Sequence, residues 1–242
     1  AIDLHRQVRA FVAKVGEQRL HHRSHERDEI LGAGARFGFL REPLHDQRVE
    51  IVALEHRPSS PAALAAFVAR APRVETFFEL PWDEDLRPWV EAVAAVGARA
   101  KIRCGGVTPD LIPPPHRVAE FLRACDGAGI GLKFTAGLHH PVRSEHPLTY
   151  EPGAPRAMMH GFLNVFVAAA LVARGHLDDL TLLAILEETD ASAFRVEGET
   201  IAWRDHAVAL ADLAAARSGF ARSFGSCSFA EPVQDLQHLG ML

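Results

Sequence analysis

From Arg48 onward the chain alternates short apolar runs with longer segments whose apolar residues recur every three or four positions. The short runs are VEIVALE (49–55), ETFFELP (75–81), ARAKIRCGG (98–106) and GIGLKFTAG (129–137). Each is brief, partly β-branched or aromatic, and bounded by turn residues, which predicts strands. The longer segments predict helices. SSPAALAAFVARA (59–71) offers a serine cap and a proline in its first turn. EDLRPWVEAVAAVG (84–97) closes on Gly97, and PPPHRVAEFLRACDGAG (113–129) opens on proline and closes on glycine. Four strands thus alternate with three helices at a spacing of about 25–30 residues, the βαβ pattern of a parallel sheet.

The flanks read less regularly. Residues 3–20 have the spacing of an amphipathic helix, 18–30 are polar, and 36–40 form a short apolar run suited to a strand. Residues 156–174 are apolar nearly all round, which predicts a buried helix. Further helices are expected over 178–189 and 205–217. A hairpin is expected over 193–203 around Glu197-Gly198, and a last strand and loop over 222–232. No fixed-period repeat and no low-complexity linker divides the chain, so residues 1–242 are expected to form one α/β domain. Four strong strands, three weaker ones and the chain length favour a TIM-like (βα)8 barrel, irregular or incomplete. An open doubly wound parallel sheet is the alternative.

The 242 residues carry 26 Lys+Arg against 31 Asp+Glu, a formal net charge of −5, with dispersed arginines. Such a chain lacks the basic stripe that neutralises phosphates, so no nucleic-acid partner is expected. The longest apolar stretch, 161–173, is interrupted by Asn164 and is too short to span a bilayer. No signal peptide opens the chain, and Cys104, Cys125 and Cys227 have no metal-binding spacing, so a reduced cytoplasmic setting is expected. Neither a cofactor nor a metal is expected, no membrane partner is expected, and a homo-oligomer is compatible with all of this.

Lysine usage changes the picture. Only Lys14, Lys101 and Lys133 break the rule that basic positions are filled by arginine or histidine. An arginine cannot lose its proton and attack a carbonyl, whereas a lysine beside a second cation can. Two of the three lysines lie in neighbouring predicted strands. Alternation puts Lys101 with Arg103, and Lys133 with Thr135, on one face, while Glu55 and Glu79 close their own strands. Gly105-Gly106 follows the Lys101 strand and would let backbone N–H groups approach an anion. His139 and His140 follow the Lys133 strand. His160 and Asn164, four apart on the expected buried helix, would share a face, either as a hydrogen-bonded core pair or as an acid/base or substrate contact turned to the pocket. A metal set of His139 or His140, His160 and Glu79 lacks any fixed helical spacing. Cys104 reads as a small strand-end residue and Cys125 as helix core, while Ser226, Cys227, Ser228 and Glu231 form a polar loop to which no role attaches.

The strings AKIRCGG, GLKFTAGLHHP and MHGFLN, within residues 98–164, resemble a bacterial family of uncharacterised proteins with K-x-R-x-G-G, K-x-T-A-G-L-H-H and H-G-F-L-N signatures. That likeness implies no activity. A looser one is to class I aldolases of the deoxyribose-phosphate type, which are (βα)8 barrels. Their Schiff-base lysine precedes small hydroxyl residues and a glycine, and a second lysine lies on an adjoining strand before a glycine pair. Lys133-Phe134-Thr135-Ala136-Gly137 is similar to the first motif, and Lys101 with Gly105-Gly106 to the second. The two motifs occur here in the opposite order, the glycine pair lies one residue further from its lysine, and Arg103 and the histidine pair have no counterpart.

Together these readings point to an enzyme of carbonyl chemistry, a lyase or aldolase acting on a small anionic metabolite. Lys133 would be the nucleophile and Lys101 its neighbouring cation, with Glu79 or His160 moving protons. Arg103, Gly105, Gly106, Thr135, His139, His140 and Asn164 would hold the substrate. A metal-dependent lyase or isomerase and a non-catalytic anion-binding barrel are the rival readings.

Overall fold

The computed structural model describes residues 52–242, except His176 and Phe229. The expected helix over 3–20 and strand over 36–40 lie outside the described residues.

Five parallel strands form the central sheet: β1 (Ala53–His56), β2 (Glu75–Glu79), β3 (Arg99–Arg103), β4 (Leu132–Thr135) and β10 (Ala221–Phe224), in the order β1-β2-β3-β4-β10. The first four are joined through α1 (Ala63–Val68), α2 (Arg87–Ala95) and α3 (Pro115–Gly127). Neighbours in sequence are neighbours in the sheet, as short βαβ units require. The protein is therefore an α/β fold. Among the described residues no sheet closes on itself, so a complete eight-stranded barrel is not present there.

Helix ends follow the expected chemistry in part. Gly97 and Gly129 stop α2 and α3 at φ +65 in each case, a conformation glycine adopts without the Cβ penalty. The serine cap expected for α1 is absent: the helix starts at Ala63 from Ala62, with no side-chain cap, and Ser60 contributes only its carbonyl to the Ala63 N–H.

Alternation divides the sheet into two faces. Phe78, Ala100, Ile102, Leu132 and Phe134 enter the hydrophobic core with Val90 and Val93 of α2 and Val118, Phe121 and Leu122 of α3. The other face carries Glu55, Glu79, Lys101, Arg103, Lys133 and Thr135. α4 (Phe162–Ala173) is buried from Phe162 to Val172, and its Phe166 meets Phe134 and Phe224 edge-on at 5.9 and 5.7 Å. The all-round apolar pattern of that segment is thus a buried helix, as expected.

Its start is not where the pattern placed it. Residues 156–159 form β6 (Arg156–Met159), antiparallel to β5 (Ser144–Pro147). Pairing with Ser144–Pro147 satisfies backbone groups that a helix would otherwise have used, and Gly161 starts the helix in extended conformation. Similarly, residues 206–209 form β9 (His206–Ala209), so the helix expected over 205–217 is α6 (Leu210–Gly219). β9 completes a three-stranded antiparallel sheet with β7 (Phe194–Glu197) and β8 (Thr200–Trp203), the hairpin expected around Gly198. α5 (Asp179–Glu187) precedes it, capped by the Asp178 side chain on the Thr181 N–H at 2.9 Å. The expected tail strand is β10, and the loop beyond it leads into α7 (Ala230–His238).

The two strand-end glycine turns pack against each other. A Cβ on Gly105 would come within 2.5 Å of the Gly137 Cα, and one on Gly137 within 2.7 Å of the Gly105 Cα. Gly105 therefore serves close backbone approach between the β3 and β4 ends, and a Cβ on Gly106 would meet Leu111 at 2.5 Å. Gly105→Ala is expected to destabilise the protein by roughly 1–3 kcal/mol through overpacking against backbone that cannot swing away. Urea unfolding of the two proteins measures it, and an unchanged midpoint contradicts this packing.

Candidate active site

The polar face of the central sheet is a continuous ionic row. Register sets Lys101 beside Lys133 and Glu79 beside Lys101. Lys101 Nζ lies 2.8 Å from Glu55 Oε2 and 2.7 Å from Glu79 Oε2. Lys133 Nζ pairs with the other oxygen of the Glu55 carboxylate and sits 5.1 Å from the centre of the Phe77 ring. Arg103 Nε reaches Glu79 Oε1 at 3.5 Å. Towards the other end of the strands, Glu75 takes Arg99 at 2.5 Å and Arg222 at 3.4 Å.

The pairing is what makes this face tolerable. Lys101, Lys133 and Glu79 are each under 10 % exposed, and a buried charge without a partner costs several kcal/mol. Burial alone would raise the Glu55 carboxyl, but Lys101 and Lys133 hold it down at about 2. Burial likewise opposes ionisation of Glu79, and Lys101 and Arg103 outweigh it, so its pKa lies below the ordinary carboxylate value. For Lys101, burial favours the neutral amine, yet Glu79 and Glu55 prevail and its pKa is raised. Lys101 is a permanent ammonium and both carboxylates are anions. Among the described residues, five cations (Arg99, Lys101, Arg103, Lys133, Arg222) meet three carboxylates (Glu55, Glu75, Glu79).

Several residues expected at this site lie elsewhere. His160 precedes α4 rather than riding on it, so the four-residue spacing to Asn164 does not put them on a common helix face. The His160 ring is 1 % exposed and bonds the Pro113 carbonyl through Nε2 at 2.7 Å, while Nδ1 has no partner. Burial pushes its pKa down to about 4, which makes it a neutral core histidine. Asn164 is a backbone clip: Nδ2 donates to Ile185 O at 2.7 Å and Glu188 O at 2.9 Å, and Oδ1 accepts from the Arg143 N–H at 3.0 Å. It ties the start of α4 to the end of α5; both Nδ2 hydrogens are spent on backbone carbonyls and the side chain is fully buried. Thr135 does lie beside Arg103 in register, with Oγ1 3.4 Å from Ile102 O. The metal set is not assembled, since Glu79 faces Lys101, His160 faces Pro113 and His139 faces α7. No group of three metal-ligating side chains occurs among the described residues.

His139 and His140 belong to a second cluster, beyond the C-terminal ends of β4 and β10. Ala136 (φ 57) and Gly137 (φ 70) turn the chain sharply, and fully buried Leu138 anchors the turn. The two rings then reach one face of α7. His139 Nδ1 bonds Glu231 Oε2 at 2.7 Å, and His140 Nδ1 bonds Asp235 Oδ2 at 2.6 Å. Glu231 and Asp235 are one helical turn apart, so adjacent histidines find adjacent acceptors. Cys227 Sγ lies 3.3 Å from His139 Nε2, and Tyr150 Oη donates to Glu231 Oε2 at 3.2 Å. Cys227 and Glu231 are the residues that sequence reasoning left in a loop without a role.

A shallow groove of about 340 Å3 is lined by Leu180, Thr181, Trp203, Arg204 and His206, and includes no member of either cluster. Among the described residues no helix is long and apolar enough to cross a membrane. No family model, no curated protein and no solved structure matches the chain.

His160 generates a pH dependence of known sign. Its folded-state pKa is depressed from 6.5 to about 4, so the unfolded chain binds the proton first as pH falls. The stability it contributes is complete above the unfolded value and is lost between pH 6.5 and 4, roughly 3 kcal/mol in full. Urea midpoints at pH 7.5 and 4.5 should converge in His160→Gln relative to the parent. An equal acid loss in both proteins excludes His160 as the source.

Proposed function

We propose that the polar sheet face binds the substrate of an enzyme of carbonyl chemistry, aldolase- or lyase-like, acting on a small anionic metabolite. The sheet would be part of an incomplete (βα)8 barrel, whose chemistry gathers at C-terminal strand ends. The observation that carries this reading is the shared Glu55 carboxylate, with one lysine on each oxygen. It holds two amines of neighbouring strands over one small patch.

The lysines are not equivalent. Lys101 is held by two carboxylates and serves as fixed positive charge. Lys133 has one carboxylate and the face of Phe77, and is the amine assigned the attack. Attack on a ketone or aldehyde and loss of water give an imine, whose positive nitrogen would replace the ammonium against Glu55. Glu55, at about 2, is a counter-ion and too weak a base to move protons. Arg103 and the surplus of cations favour a substrate carrying carboxylate or phosphate. His160 has no part in this, because it faces Pro113.

A second reading, a surface that binds an anion without chemistry, is favoured by the ionised state of Glu79, which as an anion has no proton to donate. Borohydride reduction with a panel of small aldehydes and ketones, followed by peptide mass mapping, separates the two. The expected result is a reduced adduct on Lys133 that disappears in Lys133→Met. Folded protein with no adduct on Lys133 or Lys101 sinks the amine mechanism. Saturable binding of phosphate or a small carboxylate, weakened by Arg103→Ala, would then favour the second reading.

A further inference from the structure

We infer that Cys227, His139 and Glu231 form a thiol nucleophile, base and orienting carboxylate, a second reactive centre for acyl transfer separate from the lysine row. Three observations meet there. The three groups adjoin: His139 Nδ1 bonds Glu231 Oε2 at 2.7 Å, and Cys227 Sγ lies beside the same ring, 3.3 Å from Nε2 and 3.9 Å from Nδ1. With Glu231 ionised, Nδ1 carries the hydrogen and Nε2 is left to accept the thiol proton, the order that activates a cysteine. Tyr150 Oη also donates to Glu231 Oε2, fixing the carboxylate from a different segment.

Exposure is the second observation. Cys227 is open to solvent, whereas Cys104 and Cys125 are buried. Burial raises the pKa of both buried thiols, so their inertness needs no further explanation. The third is position. His139 follows β4 and Cys227 follows β10, which are paired parallel strands, and the C-terminal ends of such strands are where α/β folds present reactive groups. Cys227 also directly precedes Ser228, whose Oγ accepts the Glu231 N–H at 3.1 Å at the start of α7. The positive end of that nine-residue helix faces the thiol's own loop.

The electrostatics agree. The hydrogen bond from His139 is the main reason the Cys227 thiol lies below its ordinary value of 9.0. Burial would lower the His139 imidazole, but its bonds to Cys227 and Glu231 outweigh that and raise it. Both shifts favour a thiolate–imidazolium pair.

The step balances within the cluster. The thiol proton moves to His139 Nε2 as sulfur attacks the carbonyl carbon of an ester or thioester. The bond to the leaving group breaks, and His139 returns the proton to that group. The resulting acyl thioester on Cys227 is cleaved by water, deprotonated by His139, which restores the thiol.

The test uses the wild-type chain and the variants Cys227→Ala, His139→Gln and Glu231→Gln. Iodoacetamide labelling across pH, read by peptide mass mapping, should modify Cys227 selectively, with a midpoint below that of a free cysteine peptide. His139→Gln should slow labelling at pH 7 by roughly tenfold or more and move the midpoint up. p-Nitrophenyl acetate should give a burst equal to the enzyme concentration and an acetyl group on Cys227, absent in Cys227→Ala. Glu231→Gln should lower the acylation rate by less than His139→Gln. An ordinary thiol profile in the wild type overturns the inference, and so does a reactive thiol that takes no acetyl group. Both wild-type readouts stand whether or not a variant folds. Borohydride trapping at Lys133 should be unchanged in Cys227→Ala, which keeps failure of one centre distinct from failure of the other.

Discussion

The lysine pair on the polar side of the sheet depends on one carboxylate. Glu55 accepts Lys101 on one oxygen and Lys133 on the other, so the first strand neutralises the third and fourth across the second. Without it Lys133 would lose its only ionic partner in the described structure, and Lys101 one of two. A parallel sheet ordinarily solves desolvation with apolar residues throughout. Here one face is solved that way, by Phe78, Ile102 and Phe134. The other is solved by charge pairing, which is seldom the more stable option.

The opposite face sets how rigid that row can be. α4 is buried along almost its whole length, and it spans β4 and β10 through Phe166. Asn164 then fastens the start of α4 to the carbonyls ending α5. A buried amide that spends three bonds on backbone is worth more as a fastener than as a ligand, because losing it would strand two carbonyls and an N–H. The strands carrying Lys133 and Arg222 are thereby pinned from behind. The lysine–carboxylate distances are set by the scaffold and not only by the attraction of the ions themselves.

Much of the sheet was legible from sequence because its physics is local. ETFFE, RAKIR and LKFT announce themselves by brevity, alternation and flanking glycine or proline, and the register that unites Glu79, Lys101 and Lys133 follows from their short βαβ links. What stayed hidden was non-local. Residues 156–159 read as helix because RAMM joins an apolar run, and only pairing with Ser144–Pro147, a segment with no strand signal, makes them a strand. His160 and Asn164 looked like a polar pair on one helix face for the same reason. Each in fact bonds backbone distant in the chain, at Pro113 and at Ile185 and Glu188. The thiol cluster joins residues 88 positions apart. Nothing in the SCS tripeptide or in the histidine pair points to the other.

What brings them together is the late addition of β10. The chain leaves the sheet after β4, builds α4, α5 and a separate three-stranded sheet, and returns to lay its last strand beside β4. Parallel pairing makes both strands end at the same edge, so the loops that follow them must meet. The loop after β4 carries the histidines, and the loop after β10 carries the thiol and leads into the helix bearing Glu231 and Asp235. The ionic row sits within the strands, where side chains are held by backbone register. The thiol cluster sits just beyond them, on loops held by two histidine–carboxylate bonds to α7. One return of the chain therefore closes the sheet against α4 and assembles the second cluster. The residues forming that cluster had to be read from the topology, since no spacing along the sequence encodes a contact between two strand ends.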